Sequence, residues 1–337
     1  MLKTAAQLLA ALVGLSVLLP ARAPGAQTPT GQTPGRIEVI PIRSATLTGE
    51  EFLRGGASGR EALLAGELRL PATATGAGAA AKVPAVVLVH GSGGISGSID
   101  LWARDLNAAG LAVFVLDSFS GRGITSTVAD QNQLHSLAMM VDAYRALDAL
   151  SRHPRIRADR IAVLGFSKGA VASVYSAVER FRQAHAADGG QRFAAHVGLY
   201  TLCNVSYRDD ARVSAAPIRL FHGAADDYVA VDPCRGYVAR LKEAGADAAL
   251  TEYAGAHHGF DSPLIAPLVP VPNAQTTRNC RLAEDAAGAV RNASTGEVYA
   301  LERDPCVEKG AHVGHHAEAA AAVRGAAREF LAATLLR

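Results

Sequence analysis

Excess charge is the first thing this sequence lacks: 33 Lys and Arg stand against 31 Asp and Glu, a formal charge of +2 at pH 7. That balance argues against nucleic acid or an anionic membrane surface as a partner, since both draw on a surplus of basic charge. A membrane-spanning run is missing as well. The apolar stretch at residues 5–19 is shorter than the roughly 20 residues that cross a bilayer, so no stable membrane insertion is expected. Cysteine is scarce, at four in 337 residues, which permits two disulfides at most. What is abundant is apolar content, 49% of the chain, enough for one large domain with a buried core.

The start of the chain reads as an export signal. Lys3 supplies a positive start, residues 5–19 an apolar core, and residues 20–26 a small-residue exit. Two cleavage points compete, after Ala23 and after Ala26. Lys3 and Arg22 are the only charges in residues 1–26, and their removal leaves a formally neutral mature chain. Residues 27–35 then form a short flexible lead, and residues 36–337 a single domain. The expected location is periplasmic or extracellular. In such an oxidising compartment the even number of cysteines favours disulfides. Cys280 and Cys306 bracket one segment, Cys203 and Cys234 each follow an expected strand, and pairing within these couples is expected among three connectivities, with free thiols the alternative.

Only one position fits Gly-x-Ser-x-Gly: Gly165-Phe166-Ser167-Lys168-Gly169. It follows an apolar run that reads as a buried strand, and Ala170, Val171, Val174, Ala177 and Val178 then recur at helical spacing. A serine on a glycine-flanked strand-to-helix turn is a poised nucleophile. It needs a general base and an orienting carboxylate. Both occur downstream at successive strand ends: Asp226-Asp227 after residues 218–223, and His257-His258 after residues 250–254. From the residues alone, either aspartate and either histidine could serve. Ser, Asp, His is the chain order of α/β-hydrolases. An anion developing on the attacked carbonyl needs backbone N–H donors. The amide of Lys168 is one candidate, and Ser92 or Gly93, in the Gly91-Ser92-Gly93-Gly94 loop after an apolar strand, is the other.

The chain resembles the dienelactone hydrolase family of the α/β-hydrolase superfamily over about residues 60–262. The resemblance rests on His90-Gly91-Ser92-Gly93-Gly94, Asp117-Ser118-Phe119 with Arg122-Gly123, Gly165-Phe166-Ser167-Lys168-Gly169, Gly223-Ala224-Ala225-Asp226-Asp227 and Ala256-His257-His258-Gly259-Phe260-Asp261. It implies an α/β-hydrolase fold, Asp226 as the orienting acid, His258 as the base, and no cofactor. The enzymes that name the family carry cysteine where this chain has Ser167, so the resemblance implies a serine esterase acting on a small-molecule ester or lactone. It also marks Arg122 as a candidate for a substrate carboxylate, with a salt bridge to Asp117 or a solvated loop arginine as the alternatives.

Strands alternating with helices predict a mostly parallel central sheet covered on both faces. Residues 262–314 interrupt this pattern. Four prolines preclude a helix at the start of the segment, and its departure directly after His258 allows it either to cover the site or to be a surface excursion. His312, His315 and His316, with Glu318, raise a zinc-site alternative if they share a helix. A peptidase of the same fold and a secreted non-catalytic binding module are the other readings, the latter disfavoured by the completeness of the serine, acid, base and glycine-loop set.

Overall fold

The structure, a computed structural model, describes residues 35–56, 59–74, 82–186 and 190–337. The expected signal and nearly all of the flexible lead lie outside the described residues. From its start the chain forms β1 (Arg36–Thr46), α1 (Gly49–Leu53), β2 (Arg60–Leu70), β3 (Val83–Val89), α2 (Gly97–Ala108), β4 (Ala112–Asp117), α3 (Ser136–Ser151) and β5 (Ile156–Phe166). There follow α4 (Lys168–Tyr175), α5 (Glu179–His185), β6 (His196–Leu199), β7 (Val205–Ser206), β8 (Ile218–Gly223), α6 (Asp232–Glu243) and β9 (Ala248–Tyr253). The last part comprises β10 (Val269–Thr276), β11 (Leu282–Glu284), β12 (Val290–Asn292), β13 (Glu308–Val313) and α7 (Ala317–Leu335).

Eight strands form one sheet in the order β1-β2-β4-β3-β5-β6-β8-β9. β1 pairs antiparallel with β2, and β2 antiparallel with β4; every other pairing in the sheet is parallel. The central strands show why both faces must be covered. On β3, Ala85, Val87 and Val89 join one apolar cluster with α3, α4 and α6, while Val86 and Leu88 join the other with α2 and α7. A strand whose side chains alternate between two dry layers has no polar face to show to water. The α/β expectation thus holds, with the carboxyl ends of β3, β5, β8 and β9 at one edge, where open α/β sheets bind ligands.

The segment after β9 makes its own small structures. β10 pairs antiparallel with β13, and β12, β11 and β7 form a three-stranded sheet. Cys280 is bonded to Cys306 across this segment, and Cys203 to Cys234 beside it, the pairing expected from position. Among the described residues, no helix is long and apolar enough to cross a membrane.

Candidate active site

Two glycines shape the turn that carries Ser167. A Cβ on Gly165 would lie 2.1 Å from the Gly169 carbonyl oxygen, and one on Gly169 would lie 2.2 Å from that of Val89. Only residues without side chains let β5 run into α4 so tightly while α4 abuts β3. Between them Ser167 is held at φ 53° and ψ −116°, left-handed for a residue with a Cβ. Its amide donates to the Leu199 carbonyl at 3.0 Å, which anchors the strained turn to β6.

Ser167 Oγ lies 3.0 Å from His258 Nε2, and His258 Nδ1 lies 2.8 Å from Asp226 Oδ2. In the arrangement these contacts favour, the hydroxyl donates to Nε2 and Nδ1–H donates to the carboxylate. The turn after β8 also gives Asp226 Oδ1 the amides of Tyr228 and Val229, at 2.9 and 2.8 Å. Burial alone would raise this carboxyl; attraction to His258 and the hydrogen bonds from His222 and His258 more than offset it, holding Asp226 well below the usual carboxylate range. Asp227 and His257 stay out of the row. Asp227 instead accepts from His312, at 2.9 Å from the amide and 2.7 Å from Nδ1.

The supports of His258 were not legible in the sequence. Its ring lies between Tyr200 and Tyr228, with centroids 4.5 and 4.7 Å away. Tyr200 is fixed in turn because its hydroxyl donates to Asp261 Oδ1 at 2.9 Å, while Trp102 Nε1 donates to Asp261 Oδ2 at 2.7 Å. The only tryptophan of the chain therefore braces the site from α2. Below Asp226, His222 Nε2 donates to the Val229 carbonyl at 2.9 Å and lies 3.5 Å from the carboxylate.

The glycine loop after β3 reaches Ser167: a Cβ on Gly91 would stand 3.3 Å from Ser167 Cβ. His90 sets its course. The Ser118 amide donates to His90 Nε2 at 3.2 Å, so the ring proton sits on Nδ1 and donates to the Gly91 carbonyl at 2.8 Å. Burial lowers the His90 pKa and keeps this neutral form. Ser92 Oγ donates to Gln131 Oε1 at 3.0 Å, and the Ser92 carbonyl accepts from the Thr127 amide at 2.8 Å. Among the described residues, the amides of Ser92, Gly93 and Lys168 have no acceptor, so all three remain available to an oxyanion.

The cleft has two lobes meeting at Ser167. One holds His258 and the glycine loop and is walled mainly by apolar side chains, among them Ile99, Phe166, Leu264, Ile265 and Val313. The other passes Lys168 and is bordered by Gln275, Thr276, Leu282 and Tyr299 of the late segment. Residues 262–314 thus wall the site on both sides.

Two sequence expectations change. Arg122 does not face the cleft. Its side chain is 1% exposed and paired with the fully buried Asp142. The guanidinium donates to both Asp142 oxygens, Thr46 Oγ1 and the Ser118 and Ala45 carbonyls. A fork so fully used has no donor left for a substrate. The zinc alternative required three histidines on one helix, but His312 lies on β13 and His316 caps α7. His312 is spent on Asp227 and His315 Nδ1 faces the Phe260 carbonyl; the described residues contain no cluster able to hold a metal.

A model of the dienelactone hydrolase family matches residues 70–281. Among solved structures, a dienelactone hydrolase-like promiscuous phosphotriesterase from metagenomic libraries is similar, at 17% identity and a TM-score of 0.52, over 88% of this chain and 98% of that one. A protein named m3DLH is similar at 19% identity and a TM-score of 0.54, over 89% of this chain and 99% of the other. No curated relative matches by sequence. At these identities the structural likeness is one of fold.

Proposed function

The chain belongs to the dienelactone hydrolase family and is a carboxylic ester hydrolase, and from that premise we propose that it works as a serine enzyme through an acyl-enzyme. The row from Ser167 to His258 at 3.0 Å and on to Asp226 at 2.8 Å carries this reading. His258 takes the Ser167 proton as Oγ attacks the ester carbonyl. The amide of Lys168, with that of Ser92 or Gly93, receives the oxyanion. His258 then protonates the departing alcohol, and the acyl group stays on Ser167. Water, deprotonated by the same imidazole, attacks the acyl-enzyme and releases the acid. Asp226 holds Nδ1–H and stabilises the imidazolium that forms twice in the cycle.

Hydrolysis of short-chain p-nitrophenyl esters by the full chain and by Ser167→Ala tests this, together with intact-mass detection of a fluorophosphonate adduct. Ser167-dependent turnover with an adduct is expected; wild-type turnover in Ser167→Ala refutes it. We further infer export, supported by the two disulfides and the leading apolar segment. Amino-terminal sequencing of the protein from a secreting host tests that inference. A mature chain starting near residue 24 or 27 is expected, and a cytoplasmic chain with an intact start overturns it.

A further inference from the structure

Lys168 is 5% exposed, yet it lines the lobe bordered by the late segment. Its ammonium donates to Thr127 Oγ1 at 3.1 Å and to the Gln131 carbonyl at 3.0 Å. An ammonium has three donors, and both of these acceptors are neutral. Among the described residues, no Asp or Glu lines the lobe; the acid that acts on Lys168, Asp130, is exposed. Burying a lysine without a carboxylate partner is costly. Burial pushes its pKa down to about 7, so near neutrality the nitrogen is a donor in one form and an acceptor in the other.

A second polar group in the same wall is unfilled. The Tyr228 hydroxyl is buried and makes no complete hydrogen bond, although the Gln131 side chain lies near it. The remaining wall mixes amides and hydroxyls, from Asn132, Asn204, Gln275 and Thr277, with the rings of Tyr207 and Tyr299 and apolar side chains such as Val171, Leu202 and Leu301. Donors, acceptors and aromatic faces without a carboxylate complement the hydroxyls and C–H faces of a polyol. The lobe beyond His258 carries fewer amide and hydroxyl side chains and suits an acyl group.

We propose that the Lys168 lobe binds the polyhydroxylated alcohol portion of the ester, Lys168 Nζ and the Tyr228 hydroxyl each holding a hydroxyl group, so that the substrate is an acylated sugar or similar polyol. This rests on the serine-hydrolase reading and adds Lys168 and Tyr228 as specificity-determining residues. The Lys168 side chain faces the alcohol while its amide serves the oxyanion.

The test compares kcat/KM for a mono-acetylated methyl glucoside with that for ethyl acetate, in the wild-type chain, Lys168→Met, Lys168→Gln and Tyr228→Phe. The wild type is expected to favour the sugar ester. Lys168→Met and Tyr228→Phe should each lower the sugar-to-ethyl ratio at least tenfold, mainly through KM, with Lys168→Gln recovering part of it because an amide still donates. An unchanged ratio overturns the proposal. So does a Lys168→Met effect confined to a carboxylate-bearing ester such as monoethyl succinate, which would make the lobe an anion site. Ser167→Ala run alongside separates the two readings: full activity there overturns the serine mechanism while leaving the ratio readable.

Discussion

Gly165 and Gly169 touch backbone to backbone, so that a methyl group on Gly165 would overlap the Gly169 carbonyl at 2.1 Å. The tight strand-to-helix turn and the left-handed Ser167 depend on that contact. Gly165→Ala must push β5 and α4 apart, and overpacking of this kind costs about 1–3 kcal/mol. The displaced hydroxyl should lower kcat by about 100-fold. Thermal unfolding and ester turnover measured together check this. Gly325→Ala, on α7, is the control, because a Cβ there meets nothing within 4 Å; equal losses in both variants would show that the contact has no special role.

Neighbouring residues separate the site from its surroundings. His258→Ala should reduce kcat on the order of 10⁴- to 10⁶-fold, because the same imidazole serves attack, departure and deacylation. His257→Ala should cost little, since its ring lies by His312, centroids 6.3 Å apart, rather than at Ser167. Asp226→Asn should be far more damaging than Asp227→Asn, whose loss frees only His312. Steady-state kinetics on one p-nitrophenyl ester ranks all four. The opposite ranking in either pair would assign the role to the wrong neighbour.

The groups proposed to react were candidates in the sequence because each stands at a strand end with a local signature. Ser167 lies between glycines, Asp226 begins an acidic turn, and His258 follows a short strand. The supports were illegible because they are long-range. Trp102 on α2 reaches Asp261 across 159 positions, and no periodicity encodes that meeting. Arg122 shows the same limit from the other side. A loop arginine near the family's motif could hold a substrate, pair with Asp117 or face solvent on sequence alone, but Asp142, on the apolar helix α3, draws it inward.

That ion pair makes its own prediction. Arg122→Ala leaves Asp142 buried and unpaired, with only Ser44 Oγ still donating to it. Removing one partner of a buried pair costs about 3–5 kcal/mol. Replacing both, as in Arg122→Met with Asp142→Leu, should recover much of the loss. Urea denaturation of the three variants reads the difference, and KM for a neutral or carboxylate ester should scarcely move. A raised KM at unchanged stability would return Arg122 to substrate binding.

Lys168 should make stability depend on alkaline pH, with a defined sign. Its amine titrates ordinarily at 10.5 but at about 7 in the fold, because burial disfavours the charged form. Between those values the unfolded chain holds a proton that the folded chain has lost. The fold is therefore weakened progressively as pH falls from about 10.5 to about 7, and this lysine adds nothing below that. A shift of that size corresponds on the order of 5 kcal/mol, partly repaid by the hydrogen bonds to Thr127 and Gln131. Lys168→Met should thus be more stable than the wild type at pH 7, with the gap closing towards pH 10. The buried His196, lowered to about 4 by burial, acts in a different window, where stability is lost as pH falls from about 6.5 to 4. Urea titrations of both proteins at pH 7, 8, 9 and 10 would measure the gap. A gap constant across that range would mean that Lys168 keeps an ordinary affinity for its proton, and that the lobe it borders is wetter than its walls imply.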